Sequence, residues 1–272
     1  MTAMIFAAGL GTRLKPLTDT MPKALVPVHG QPLLAYQIDK LKRAGINDII
    51  VNVHHFPDMI IDYLRENDNF GCNIHISDER EQLLDTGGGL LKAWSTFAPN
   101  EPILAINVDI VSDINFQDVI NQSQILNHKS KISNLKSKIL ALLIVKSRET
   151  QRYLCFDENN NLCGWMNIAT GETRPSSFHH SGEAGSLSAA SSFRLLAFSG
   201  MQLLSPAALP LLQAYNSSLS PAEQSINPSF NKFSIIDFYL YVVEHHLGDL
   251  RALEIDVPLL DVGKISQLSQ LS

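Results

Sequence analysis

The chain has 272 residues, 45% of them hydrophobic and 18% charged, with a net charge of −6. That length fits one large α/β domain or two small ones, with a sizeable core in either case. The acidic balance argues against a general nucleic-acid binder, which carries a basic stripe, but leaves room for a nucleotide, which needs only local positive charge.

In chain order, Ala3 to Ala8 is continuously apolar, as in a parallel strand covered on both faces. A loop follows, Gly9 to Arg13, and then Pro16 and Pro22 keep the segment before Lys23 out of helix. Pro32 to Ala44 has helical apolar spacing (Leu33, Leu34, Ile38, Leu41), with Gly45 as a stop. Asp48 to Val53 predicts a second strand, Asp58 to Arg65 a second helix and Cys72 to Ser77 a third strand. Thr86 to Phe97 opens on glycines and becomes a helix, and Pro102 to Asn107 is a fourth apolar strand running on to Asp109. Strand and helix alternate, so the expected fold class is α/β, a parallel sheet with helices on both faces. Such sheets bind ligands at the carboxyl ends of their strands, where both the Gly9 loop and Asp109 stand.

The second part is less regular. Asn115 to Leu126 predicts a helix and the polar Asn127 to Lys138 an exposed, mobile insertion. Ile139 to Val145, Tyr153 to Asp157, Leu162 to Met166 and Phe193 to Phe198 read as strands, and Gly171 to Ala190 as a loop. Ser234 opens a helix with Asp237 three residues on, a capping-box-like pattern, and strands near Leu250 to Ile255 and Leu259 to Val262 close the chain. With no repeat and no convincing linker, residues 1–272 read as a single domain.

Several motifs carry chemistry. The backbone N–H groups of Gly9-Leu10-Gly11 can face an anion, and Arg13 and Lys23 add two positive charges; alone, the two glycines are more often a structural turn. Leu14 stands where the dinucleotide fingerprint has a third glycine, and Asn52, His54 and His55 stand where an acidic residue would follow the second strand. Asp85-Thr86-Gly87-Gly88-Gly89 fits a capped helix start, or a wall on which backbone groups meet a planar base. Asp109 and Asp261 are strand-end carboxylates of the kind that hold Mg²⁺ together with phosphate oxygens, while Asp113 also fits a helix cap. The pairs His54-His55, His179-His180 and His245-His246 point their members apart and make no metal pattern. Cys72, Cys155 and Cys163 read as buried thiols in a reducing compartment. No stretch approaches the roughly 18 apolar residues that cross a bilayer, and Ala3 to Ala8 is too short for a signal-peptide core, so the expectation is a cytoplasmic protein without a membrane partner.

Taken jointly, Ala8-Gly9-Leu10-Gly11-Thr12-Arg13, Pro16-Leu17-Thr18, Pro22-Lys23, Asp85-Thr86-Gly87-Gly88-Gly89, Asn107-x-Asp109 and Asp261-Val262-Gly263 resemble the sugar-1-phosphate nucleotidyltransferases. The resemblance runs from Met1 to about Gly263 and is strongest to short N-acetylmuramate α-1-phosphate uridylyltransferases and mannose-1-phosphate guanylyltransferases. It implies a Rossmann-like three-layer sandwich with a mostly parallel central sheet, residues 1–110 forming a nucleotide-binding half and 111–272 a sugar-binding half. Ala8, Gly9, Gly11, Thr12 and Arg13 would wrap a nucleoside triphosphate, with Arg13 on the β- and γ-phosphates. Lys23 would hold the α-phosphate and the sugar phosphate together. Gly87 and Gly88 would meet the base, Asn107 and Gly200 the sugar, and Asp109 and Asp261 the Mg²⁺ ion. The implied reaction transfers a nucleotidyl group, from UTP above all, to a sugar 1-phosphate such as N-acetylmuramate α-1-phosphate, a cell-wall precursor, and releases pyrophosphate. The alternatives are mannose-1-phosphate guanylyltransfer and a nucleotide-sugar-binding regulatory subunit without turnover; the expected assembly is a monomer or small homo-oligomer. Three positions depart from the pattern: Val108 and Leu154 stand where glycine is usual, and Lys264 replaces a threonine.

Overall fold

A computed structural model describes residues 1–132, 139–176, 178, 193–220, 229–263 and 265–268. The first half runs β1 (Thr2–Phe6), a small hairpin β2–β3 (Pro27–Val28, Gln31–Pro32), α1 (Leu33–Arg43), β4 (Asp48–Val53), α2 (Pro57–Glu66), β5 (Asn73–Asp78), α3 (Asp85–Phe97) and β6 (Ile103–Asn107). The second runs β7 (Ile110–Ser112), α4 (Phe116–Ile132), β8 (Ile139–Lys146), β9 (Arg152–Phe156), β10 (Leu162–Asn167), β11 (Glu172–Arg174), β12 (Arg194–Leu204), α5 (Ala208–Ser218), α6 (Ile235–Glu244), β13 (Asp249–Glu254), β14 (Leu259–Asp261) and α7 (Ile265–Leu268).

β6, β1, β4 and β5 are parallel neighbours, with Ala3 opposite Ile49 on one side and Leu104 on the other. Alternate residues of these strands enter two different cores. Ala3, Ile5, Ile49, Val51, Leu104 and Ile106 pack with Ile38 of α1, Leu64 of α2 and Phe116 of α4. Met4, Ile50, Ile103 and Ala105 pack with Trp94 of α3, Leu212 of α5 and Phe238 of α6. Helices therefore cover both faces, and β1 and β6 at the centre read as apolar runs because side chains are buried whichever way they point, while β5 at the edge alternates and is half-buried.

Beyond β6 the sheet becomes mixed. β12 is antiparallel to β6, β8 and β9, while β13 is parallel to β8. β12 continues to Leu204, well past the strand expected at Phe193 to Phe198, because a bulge between Phe198 and Met201 carries it across Ser199 and Gly200. Helix α5 was not anticipated: Pro210 lies in its first turn, where a missing N–H costs no helical bond. Helix α4 runs past Leu126 to Ile132, and residues 133–138 of the predicted insertion lie outside the described residues, as do His179 and His180. The segment expected as a loop from Gly171 contains strand β11. Ser234 caps α6 by accepting the Ile236 N–H at 3.2 Å, but Asp237 does not complete a capping box; its carboxylate takes Arg174 Nη2 at 2.8 Å.

One small element matters for the site. β7 pairs antiparallel with β14, Asp261 opposite Ile110, and α1 anchors this ribbon. Tyr36 OH donates to Ser112 O at 2.9 Å, Gln37 Nε2 to Ile110 O at 2.6 Å, and Lys40 Nζ to Ser112 O at 2.5 Å, above the Phe116 ring. Burial pushes the Lys40 ammonium down to about 8, partly opposed by the Asp113 charge. Between about 8 and the ordinary 10.5 the unfolded chain holds the proton that the folded chain has lost. The stability tied to this group is therefore complete above 10.5 and lost as pH falls through about 8. Denaturation midpoints of wild type and Lys40→Met, compared from neutral pH upwards, should show the wild type gaining about 1–3 kcal/mol on the variant across that window. Parallel pH profiles would contradict the buried charge.

Candidate active site

The glycine loop leaves the carboxyl end of β1 and folds back on itself in single 3₁₀ turns, Thr12–Leu14, Leu17–Asp19 and Lys23–Leu25. Gly11 makes this possible: its φ is +65°, and a Cβ there would stand 2.7 Å from Thr18 Cγ2, whose hydroxyl donates to Gly11 O at 2.8 Å. Thr18 and Lys23 thereby form the back of the loop. In front of it lies a cleft of about 420 Å³, and Ala8, Gly9, Gly11, Thr12, Arg13, Lys23, Asn107 and Asp109 all line it.

Lys23 and Asp109 form an ion pair in the floor, with side chains only 11% and 14% exposed. Asp261 joins them through the β7–β14 ribbon, fixed by the Val262 N–H donating to Asp109 O at 2.8 Å. Burial first, and then the negative charge of Asp109, push the Asp261 carboxyl up; Lys23, Arg13 and Arg148 oppose this. Asp261 Oδ1 is buried and accepts no hydrogen bond among the described residues. A Cβ on Gly263 would lie 2.8 Å from both Asp261 Oδ1 and Arg13 Nη2, so that guanidinium reaches the same corner.

This donor set suits a hard divalent cation. Two adjacent carboxylates, one with a bare buried oxygen, offer the one or two protein ligands that Mg²⁺ takes beside phosphate and water. Among the described residues no three His, Cys, Asp or Glu side chains gather as an all-protein metal cage.

The sequence profile of the family described as nucleotidyl transferase matches residues 2–153, more than half of the chain. The chain belongs to the nucleotidyl transferase family. It is 43% identical over 111 residues to an N-acetylmuramate alpha-1-phosphate uridylyltransferase of Caulobacter vibrioides, a stretch covering 40% of this chain and 46% of that one. It is 38% identical over 122 residues to a mannose-1-phosphate guanyltransferase of Gibberella zeae, covering 44% and 33%. The chain thus spans less than half the length of these two curated relatives. A putative glucose-1-phosphate thymidylyltransferase from Bacillus anthracis shares the fold, with a TM-score of 0.70 at 18% identity over 100% of this chain and 94% of that one.

Other expected residues of this nucleotidyl transferase lie elsewhere. Gly87 and Gly88 are buried behind the cleft, and their N–H groups donate to Phe233 O at 2.9 and 3.4 Å. A Cβ on Gly88 would meet Asn231 O at 2.1 Å, and one on Gly87 the Phe233 ring at 2.3 Å. These glycines let the start of α3 press against residues 231–233; Asp85, Thr86 and Lys232 line the cleft there. Gly200 packs on Asn107, where a Cβ would come within 2.8 Å of Nδ2. The Val108 side chain belongs to the core, and Lys264 lies outside the described residues.

Thr86, part of the glycine motif, lines the wall, while three cleft-side residues escaped the sequence reading: Asn52 and Lys232 on the wall, and Arg148 beside Asp261 with Nη2 3.4 Å from Phe198 O. Only Asn52 had a local signal, as the polar interruption of an apolar strand.

The two kinds of glycine separate by experiment. Gly88→Ala should lower the stability measured by urea unfolding by about 1–3 kcal/mol, because backbone atoms must move. Gly9→Ala meets nothing within 4 Å and should stay within about 0.5 kcal/mol of wild type. Equal stabilities would mean that α3 does not need its close approach.

Proposed function

We propose that the protein transfers a nucleotidyl group from a nucleoside triphosphate to a sugar 1-phosphate, releasing pyrophosphate and a nucleoside diphosphate sugar. The observation that carries this is the meeting of Arg13, Lys23 and Asp109 in one glycine-walled cleft, with Asp261 behind its lining and within reach of all three charges. A sugar phosphate is already ionised at neutral pH, so attack on the α-phosphorus needs no general base. The obstacle is repulsion between two polyanions. Arg13 reaches the outer phosphates of the triphosphate and lowers the charge on the departing pyrophosphate. Lys23, released from Asp109 as the nucleotide enters, holds the α-phosphate and the incoming sugar phosphate together, and positioning does much of the rest. Asp109 and Asp261 are the residues that would hold Mg²⁺, which supplies further positive charge to the phosphate oxygens.

For the substrates we propose UTP and N-acetylmuramate α-1-phosphate, supported by the likeness to the Caulobacter vibrioides protein. GTP with mannose 1-phosphate stands second, supported by the similar span shared with the Gibberella zeae protein. Residues 1–110 form the nucleotide half, 111–272 the sugar half, and Asn107 and Gly200 meet at their seam. The reaction is placed in the cytoplasm, where nucleoside triphosphates are supplied. Among the described residues no helix is long and apolar enough to cross a membrane.

Incubation of each nucleoside triphosphate and Mg²⁺ with a panel of sugar 1-phosphates should release pyrophosphate fastest from UTP with N-acetylmuramate α-1-phosphate. A maximum with GTP and mannose 1-phosphate would select the second pair, and no release from any pair would sink the reaction itself. Asp109→Asn should keep the fold by circular dichroism while turnover drops on the order of a hundredfold or more. Near-normal turnover would remove Asp109 from the site.

A further inference from the structure

Asn52 is 2% exposed, and both ends of its amide are engaged. Its Oδ1 accepts the Ala7 N–H at 2.8 Å, at the root of the glycine loop, and its Nδ2 donates to Glu79 Oε1 at 2.7 Å. Glu79 lies just past β5 and is 1% exposed; its second oxygen, Oε2, accepts the Leu84 N–H at 3.0 Å, immediately before the Asp85–Thr86 wall. Ala7, Asn52, Glu79 and Leu84 thus form one hydrogen-bonded chain from the phosphate-loop side of the cleft to the opposite wall. Gly89 leaves room for it, since a Cβ there would stand 2.7 Å from Glu79 Oε1. His54 Nδ1, 2.7 Å from Glu79 O, holds the same residue by its main chain.

A carboxylate buried this deeply is a costly way to fill space. Burial pushes the Glu79 carboxyl up; the Leu84 N–H, the Asn52 amide and the charges of Lys92 and His54 pull it back. Its particular capacity is to accept from two sides with one planar group, and glutamine, with one oxygen and a donor, cannot. The polarity of the whole chain of bonds follows: two N–H donors at its ends require an acceptor at each, and one of the two middle side chains must supply the single bridging N–H.

We propose that Asn52 and Glu79 are a positioning pair that fixes the spacing between Ala7 and Leu84 and thereby sets the affinity of the cleft for a nucleoside triphosphate. The inference rests on the triphosphate reading of the cleft. Glu79 acts through Asn52 and the two backbone amides, not by touching the nucleotide.

The polarity supplies a strict test. In E79Q the new amide NH₂ confronts either the Asn52 NH₂ or the Leu84 N–H. In N52D the new carboxylate confronts that of Glu79. In the double variant N52D/E79Q all three links return with the charge moved one partner along: the new carboxylate at position 52 accepts from Ala7 N–H and from the new amide at position 79, whose oxygen accepts from Leu84 N–H. Calorimetric titration with UTP and GTP should show each single variant binding more weakly, on the order of tenfold, and the double variant recovering most of that loss, short of wild type by the repulsion its carboxylate on the cleft wall adds. In the assay with sugar 1-phosphate, the loss should fall on KM for the triphosphate, with kcat and KM for the sugar phosphate changed much less. Hydrogen exchange at the Ala7 and Leu84 amides should quicken in the single variants and slow again in the double. Single variants that bind as wild type does, or a double variant no better than the singles, would overturn the proposal. If the wild type binds neither triphosphate, the reading of the cleft fails instead, and the two amides alone decide whether the pair positions them.

Discussion

Two carboxylates within electrostatic reach of one another, Asp109 in the cleft and Asp261 behind it, place the strongest constraint on this structure. Burial, and then the charge of Asp109, raise the carboxyl of Asp261. Such a pair persists because cations converge on it: Lys23 from the glycine-loop segment, Arg13 from the loop itself and Arg148 from beyond β8. Everything that delivers these groups to one place serves the same electrostatic end. An arrangement suited only to folding would replace the pair with apolar side chains of similar size.

The fold delivers them by three separate routes. β1 and β6 are parallel and adjacent, so the glycine loop and Asp109 leave neighbouring strands at the same end. Lys23 arrives because Gly11 turns the loop back on Thr18. Asp261, more than 150 residues from Asp109 in the chain, arrives on the small β7–β14 ribbon, which α1 ties down through Tyr36, Gln37 and Lys40. The ribbon is short, and without those three side chains its position would rest on its own few backbone bonds.

The parallel half was legible because burial on both faces makes its central strands mostly apolar, and β4 occupies the predicted Asp48–Val53 in full, with Asn52 as its one polar interruption. That the glycine loop, Arg13 and Asp109 share one cleft was legible for a related reason: each lies just past a strand end, where a polar residue has few structural tasks. Legibility failed where the partner is distant in sequence. Gly87 and Gly88 have the composition of a ligand-facing turn, yet what presses against them is the chain at 231–233. Asn52 and Glu79 look unrelated until β4 and β5 lie side by side. β12 and α5 were misjudged for local reasons, a Ser-Gly bulge inside a long strand and a proline in a first helical turn, which periodicity reads as breaks.

The ion pair between Lys23 and Asp109 connects this electrostatic design to the proposed chemistry. In the proposed reaction the ammonium that neutralises Asp109 is also called on by two phosphates, so less of its charge is left for the carboxylate. When a triphosphate draws Lys23 away, Asp109 loses its counter-charge beside Asp261, whose Oδ1 has no hydrogen bond among the described residues to fall back on. Both carboxylates then face new negative charge, and a divalent cation becomes most favourable at the moment the nucleotide is present. Cation and nucleotide are therefore expected to strengthen each other's binding, because each removes the repulsion that opposes the other. On the proposed reading the lysine would serve both as the counter-charge of Asp109 and as a phosphate ligand, so one ion pair would link the electrostatics of the floor to the binding of nucleotide and cation.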